Sequence, residues 1–226
     1  MKLTYYGHSC FSVNLKGKEI LFDPFISGNE LASDVDIASL KPDYILLSHG
    51  HSDHTADAEQ IAKQSGATIV SNFEVVSWFG NKGLEKVHPM NHGGSWKFDF
   101  GTVKYVNAVH SSSMPDGSYG GNPGGFIISN DEITFYFAGD TALTLDMQLI
   151  PRFHKLDLAI LPIGDNFTMN VDEAIVASDF IECNKVVGVH YDTFGYIKID
   201  HEASIEKFAN ASKELFLPKI GESLDF

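Results

Sequence analysis

Short apolar runs separated by turn-forming residues recur along this chain, and their spacing predicts a sheet-rich protein with several helices. Strand-like runs fall at 3–6, 10–15, 19–22, 44–47, 68–71, 102–107, 125–129, 133–138, 158–161 and 186–189, with a terminal strand at 214–217 or 223–226. Helical spacing is found at 56–64, 74–79, 145–153, 171–182 and 201–214. Strands come first and mixed units follow, which suits two sheets packed face to face with helices on their outer faces, an α/β sandwich. No internal repeat, low-complexity tract or linker divides the sequence, so 1–226 is read as one domain.

Composition narrows the picture. With 226 residues and 43% hydrophobic content, the chain can bury roughly 70% of its unfolded surface without staples. Cys10 and Cys183 are too few for a disulfide framework, so a reducing cytoplasmic compartment is expected. The opening residues hold no apolar leader, and no stretch approaches the ~20 residues of a membrane span. Thirty acidic against 16 basic residues give a net charge of −14, which argues against nucleic acid and points to a small-molecule substrate. Oligomeric state is not legible.

The densest chemistry is Ser48-His49-Gly50-His51-Ser52-Asp53-His54, which follows the apolar run Tyr44-Ile45-Leu46-Leu47. A core has no use for three imidazoles and a carboxylate in six residues. Side chains two apart at a strand end point the same way, so His49 and His51 can grip one ion while Asp53 and His54 reach a second. A single structural zinc would be complete with four ligands; a hydrolytic pair needs more. Three later apolar runs end at His110, Asp140 and His190, each at a strand end, where rigid strands aim side chains outward. Taken alone, Asp53 at a helix start reads as an N-cap, and a lone His at a strand end as an ordinary polar residue. Their combination favours ligands.

In this order of residues the chain resembles the metallo-β-lactamase superfamily, whose His-x-His-x-Asp-His motif is followed by single His, Asp and His ligands. Gly7-His8-Ser9-Cys10-Phe11, Leu21-Phe22-Asp23-Pro24, Ala138-Gly139-Asp140-Thr141, Leu161-Pro162-Ile163-Gly164 with Phe167-Thr168-Met169, and His190-Tyr191-Asp192-Thr193-Phe194 look like a narrower branch. That branch holds small metal-dependent hydrolases related to ascorbate-6-phosphate lactonase and, at greater distance, to the N-acyl phosphatidylethanolamine phospholipases. The resemblance implies a four-layer αβ/βα sandwich with the metal site at one rim of the two inner sheets. It also implies that His49, His51 and His110 bind one ion, Asp53, His54 and His190 a second, and that Asp140 bridges them with a hydroxide.

The residue types suit that chemistry. Neutral imidazoles leave each ion's charge free to act on the shared water, and two ions ~3.5–4 Å apart can hold nucleophile and substrate oxygen together. Zinc fits a histidine-rich set best, while seven N and O ligands without thiolate also suit Mn2+, Fe2+ or Ni2+. Asp53 is the candidate catalytic acid or base. His8, which the branch places near the metal rim, and Asp23, placed to orient a ligating imidazole, are supporting candidates. His88, His92, His154 and His201 are left outside the site. The loop 111–125, rich in glycine and following His110, reads as a substrate-facing lid rather than a plain connection. Asp165-Asn166 and 191–194 are candidates for the pocket wall, and Lys198 is the basic residue closest in sequence to the last ligand.

The resulting expectation is a hydrolase of small lactones, esters or phosphodiesters. Its rivals are a metal-binding sensor without turnover and a non-hydrolytic metal oxidoreductase of the same fold. The flavin-dependent diiron form of the latter would carry a carboxylate where His51 stands and an appended flavin domain. A glyoxalase II role lacks its extra C-terminal helical domain, and a ribonuclease Z role its RNA-gripping insertion.

Overall fold

Fourteen strands divide into two seven-stranded sheets in a computed structural model that describes residues 1–226. The first half contributes β1 (Lys2–Gly7), β2 (Cys10–Leu15), β3 (Lys18–Phe22), β4 (Tyr44–Leu46), β5 (Thr68–Asn72) and β6 (Val87–Met90), with α1 (Ser52–Thr55), α2 (Ala58–Ser65) and α3 (Phe73–Asn81) among them. The second contributes β7 (Ser95–Phe98), β8 (Gly101–Asn107), β9 (Gly124–Ser129), β10 (Thr134–Phe137), β11 (Leu158–Pro162), β12 (Lys185–Val189) and β13 (Glu214–Phe216), with α4 (Val171–Phe180) and α5 (His201–Asn210). The last strand, β14 (Ser223–Asp225), returns to the first sheet beside β1.

The sheet orders are β14-β1-β2-β3-β4-β5-β6 and β13-β12-β11-β10-β9-β8-β7. In each half an antiparallel meander gives way to parallel strands: β1 to β3 are antiparallel and β3 to β6 parallel, β7 to β10 antiparallel and β10 to β13 parallel. Parallel strands need helical crossovers, which cover the outer face and make the strand apolar on both sides. Leu158-Ala159-Ile160-Leu161-Pro162 of β11 is buried throughout for that reason.

Three apolar layers result. Twenty-two buried residues fill the space between the sheets, 18 lie under α4 and α5, and 15 lie under α2 and α3, so the order is helix, sheet, sheet, helix. In the central layer Phe11 stacks on Phe22 at 4.5 Å, and Phe137 of the other sheet meets both edge-on at 5.1 and 5.5 Å. Such offset and edge contacts suit the ring quadrupoles. No helix is long and apolar enough to cross a membrane, and both cysteines are buried and free.

The sequence expectations differ from this fold at the edges. Both alternatives for a terminal strand exist, as β13 and β14. β6 and β7 were not foreseen because each is an edge strand with one covered flank, and Val87-His88-Pro89-Met90 carries a mid-strand proline, which weakens a strand pattern and suits an edge. The helix expected at 56–64 is α2, starting two residues later at Ala58 and preceded by the separate turn α1, since Asp57 between them turns its carboxylate to the backbone N–H groups of Ile26 and Ser27 at 2.6 and 2.9 Å. Leu145–Arg152 is a 3-10 helix containing Pro151, whose ring and missing N–H disfavour an α-helix interior. α5 stops at Asn210 rather than 214 because Ser212 takes a left-handed turn, φ 59°, into β13.

Candidate metal centre

All seven histidines and aspartates expected as ligands meet at one rim of the two sheets. The β4 end and α1 supply His49, His51, Asp53 and His54; the second sheet supplies His110 after β8, Asp140 after β10 and His190 after β12. Ligand atoms of His49, His51 and His110 lie within 4.8 Å of one another, as do those of Asp53, His54, His190 and His8. Asp140 stands between the sets. Its Oδ2 is 3.6 Å from His110 Nε2, 3.2 Å from His54 Nε2 and 2.9 Å from His190 Nε2.

Cross-sheet contacts fix that meeting. Tyr105 donates its hydroxyl proton to the Ser48 carbonyl at 2.9 Å, the Gly124 N–H donates to the same oxygen at 3.1 Å, and the His190 N–H donates to the His8 carbonyl at 2.9 Å. Gly139 lets β10 come this close, for its φ is +62° and a Cβ there would lie 2.7 Å from Ser48 Cβ. Four ordinary residues at the rim also hold left-handed backbone: His8 (φ 56°), Asp23 (40°), His190 (57°) and Asp192 (62°). Such conformations cost on the order of 1–3 kcal/mol each and persist only where packing enforces them.

Asp23 sits beneath both sets, fully buried. Its Oδ1 accepts from Ser48 N–H at 2.7 Å, while its Oδ2 lies 2.6 Å from Ser48 Oγ and 2.8 Å from His54 Nδ1. A carboxylate can only accept, so Ser48 Oγ and His54 Nδ1 both donate to it. With its proton committed, Ser48 Oγ accepts from His49 Nδ1 at 2.9 Å. One carboxylate therefore places a proton on Nδ1 of an imidazole in each set and turns both Nε2 atoms inward, that of His49 to 2.9 Å from His51 Nδ1 and that of His54 to 3.2 Å from Asp140 Oδ2. Ser48 was missed in the sequence, though a polar residue closing an apolar strand was the available signal.

His8 serves differently. Its Nε2 lies 3.2 Å from Asp53 Oδ2 and its Nδ1 3.0 Å from Thr193 Oγ1, so both nitrogens are engaged and it holds Asp53 in place. Asp53 does not cap: the N-cap of α1 is His51 and makes no side-chain cap bond. Its carboxylate is 26% exposed, open to solvent where Asp140 is not.

The ionisation pattern suits a cation. Burial drives the imidazoles of His49, His51 and His110 below their ordinary range, leaving them neutral and able to donate a lone pair. Burial also pushes His8 down to about 4, against the pull of Asp53. Burial raises Asp53 and Asp140, but the surrounding imidazoles outweigh it, and both carboxyls fall below the usual carboxylate range. His54 goes the other way: burial lowers it, yet the Asp140 and Asp53 carboxylates hold it well above. Four buried side-chain atoms lack a hydrogen-bond partner, and three are His54 Nε2, Asp140 Oδ1 and His190 Nδ1. Uncompensated polar atoms in a buried cluster of neutral imidazoles, ionised carboxylates and one imidazole, His54, that draws a proton to balance them fit divalent ions, which would supply that positive charge instead.

A cleft of 1010 Å³ opens over these residues. Ser111, Ser113, Met114 and Pro115 of the loop 111–125 form one wall. That loop is tied down rather than free, by Asn72 Nδ2 to the Gly120 carbonyl at 2.8 Å and Trp78 Nε1 to Asp116 at 2.8 Å. Of the 191–194 segment, Thr193 and Phe194 face the cleft and Tyr191 and Asp192 do not. Asp165 and Asn166 stay outside it; Phe167, quoted above only as a mark of the branch, and Tyr196, not singled out in the sequence, line it. Lys198 belongs to a separate depression with Asp165, Asp172 and Asp200. His92 stacks on Tyr105 at 5.2 Å, away from the ligands, and His201 pairs with Asp192 at 2.6 Å.

Residues 2–190 match the sequence profile of the family described as the Beta-lactamase superfamily domain. A protein named a metal-dependent hydrolase in Flavobacterium johnsoniae is 62% identical over 225 residues, spanning 100% of both chains. One of the same description in Bacillus subtilis is 44% identical over 230 residues, again spanning 100% of both. Among solved structures, a metallo hydrolase from the archaeon Ignicoccus hospitalis superposes with TM-score 0.89 at 33% identity, covering 100% of this chain and 98% of that one.

Proposed function

For this chain, which belongs to the metallo-β-lactamase superfamily, we propose a hydrolase working on a small lactone, ester or phosphodiester with two divalent ions, zinc foremost. His49, His51 and His110 would hold one ion, Asp53, His54 and His190 the other, with Asp140 shared. The observation that carries this reading is the position of Asp140 Oδ2, within 3.6 Å of a ring nitrogen of one set and 3.2 and 2.9 Å of two nitrogens of the other. When bound, such ions lower the pKa of water toward neutrality and polarise the oxygen of the bond to be cleaved.

The chain's own groups then have distinct tasks. Of the two carboxylates of this set that line the cleft, Asp53 is the exposed one, 26% against 2% for Asp140, so it takes the proton of the attacking water at its carboxylate oxygen and returns it to the leaving oxygen. His8 donates to Asp53 Oδ2 and keeps that oxygen aimed. Asp23 and Ser48 hold a proton on Nδ1 of His54 and of His49, so that Nε2 is the nitrogen each ring would offer to an ion. Buried Tyr105 and the Gly124 N–H secure the Ser48 carbonyl, and with it the whole ligand run.

Metal analysis and kinetics on the same samples test the reading. Saturated protein is expected to hold two ions per chain, and Asp140→Ala to weaken both. Asp53→Asn at full occupancy should lower kcat on the order of 100-fold with a smaller change in KM. One ion at saturation would exclude the paired centre, and an Asp53→Asn enzyme with wild-type kcat would remove Asp53 from proton transfer.

A further inference from the structure

Away from the ion-binding residues, the cleft is chemically one-sided. No lysine or arginine lines it, and Glu30 is its only other charged residue. A substrate bearing a phosphate or carboxylate remote from the reacting bond would find no cationic partner there, and would meet the field of a chain with net charge −14. Apolar partners are available instead. Phe167, Phe194 and Tyr196 project from the loops after β11 and β12. Phe167 and Tyr196 are 49% and 77% exposed, and their rings meet edge to face at 6.3 Å.

Phe167 is also held there deliberately by the backbone. The two residues before it, Asp165 and Asn166, are successive non-glycine positions in left-handed conformation, φ 63° and 54°. The turn is closed by Asp165 N–H to the Met169 carbonyl at 3.0 Å and Asn166 N–H to Asp165 Oδ1 at 2.8 Å. Two exposed rings in mutual contact beside the cleft, one of them on a turn fixed by two left-handed residues, form an apolar patch that a molecule in the cleft would cover.

We propose that Phe167 and Tyr196 form the specificity wall of the cleft. They take a planar aromatic arm of a small substrate that is uncharged away from the bond being cleaved. This rests on the hydrolase reading above and narrows its substrate class to neutral aryl-bearing lactones or esters, against phosphorylated ones. Edge-to-face contact with two rings gives such an arm a directional fit beyond the burial of its surface.

The test compares metal-loaded protein on γ-butyrolactone, its γ-phenyl derivative and its phosphomethyl derivative, with binding of the hydrolysis-resistant γ-phenyl lactam measured separately by calorimetry. The phenyl lactone is expected to exceed the plain ring in kcat/KM by roughly tenfold or more, chiefly through KM, as an apolar pocket discriminates added apolar groups. The phosphorylated ring should be the poorest. Phe167→Ala and Tyr196→Ala should each narrow the phenyl preference and weaken lactam binding, and Phe167→Trp should retain both. Cleavage without phenyl preference, or with the phosphorylated ring preferred, overturns the inference and leaves the hydrolase reading standing. Lactam binding that depends on Phe167, with no lactone cleaved, supports the wall and counts against the hydrolase reading. Absence of both binding and cleavage overturns the wall and removes lactones from the hydrolase reading.

Discussion

Replacing Asp23 by asparagine isolates the hydrogen-bond chain beneath the centre. Asparagine is nearly the same shape and tolerates a φ of 40° better than most residues. It can still accept from the Ser48 N–H through its carbonyl oxygen. Its amide group, however, puts donors where Oδ2 now receives Ser48 Oγ at 2.6 Å and His54 Nδ1 at 2.8 Å. His54 must then surrender its Nδ1 proton and carry one on Nε2, the nitrogen facing Asp140. Ser48, receiving a bond instead of giving one, turns its proton to His49 Nδ1 and inverts that ring as well. Loss of such supporting partners costs about 10–100-fold in ion affinity, or about 1.4–2.8 kcal/mol, and in the proposed pair it would fall on both ions. Stability without ions should drop by only about 1.5–3 kcal/mol, the scale of one hydrogen bond to a charged group. Competition titration against a chromophoric chelator resolves the two affinities, and urea unfolding of the chelated protein gives the second quantity. Ser48→Ala is the companion variant, expected to weaken the His49 set while sparing the His54 set. Wild-type affinity for both ions in Asp23→Asn would refute the tautomer argument.

Other perturbations have equally definite outcomes. Gly139→Ala, with a left-handed backbone and Ser48 Cβ 2.7 Å away, should cost about 2–4 kcal/mol in urea unfolding; a change under about 0.5 kcal/mol would show that the sheets have room there. Chelated protein should keep its far-ultraviolet circular dichroism, because three apolar layers of 22, 18 and 15 buried residues do not depend on the rim; global unfolding on chelation would make the ions structural. The Asp43 carboxyl, though raised by partial burial, is held below its ordinary value by Lys18 at 2.9 Å and the Glu19 N–H at 3.0 Å. Its contribution is thus present above the unfolded-state pKa of ~4 and lost as pH falls through the lower folded value. The Tm difference between wild type and Asp43→Asn should accordingly shrink with acidification below about pH 4, and a constant difference would contradict that linkage.

The cluster at the rim was legible because its chemistry is expensive: His49, His51, Asp53 and His54 have no place in a core, and apolar runs marked the strand ends before His110, Asp140 and His190. The four-layer order was legible for the same reason, since strands covered on both faces lose the alternation of a half-exposed sheet. What escaped notice acts through geometry alone. Ser48 looks like any serine until Asp23, 25 positions away, is folded beneath it. Phe167 and Tyr196 read as apolar residues in loops, and only the fold shows that they face the same cleft. Edge strands β6 and β7 carry weak patterns because one flank has no neighbour to specify.

The left-handed residues at the rim have an evolutionary side. At positions 8 and 190 the backbone asks for glycine or asparagine, while the chemistry asks for histidine. Selection for catalysis and selection for persistence therefore oppose each other at the same codons, and the second acts whenever the first lapses. In a lineage released from its substrate, substitutions that silence the centre would rank among those that harden the fold. Inactive relatives should then be recognisable by glycine or asparagine at these two places before decay reaches the core, and a library sorted only for thermal survival should discard its own activity first.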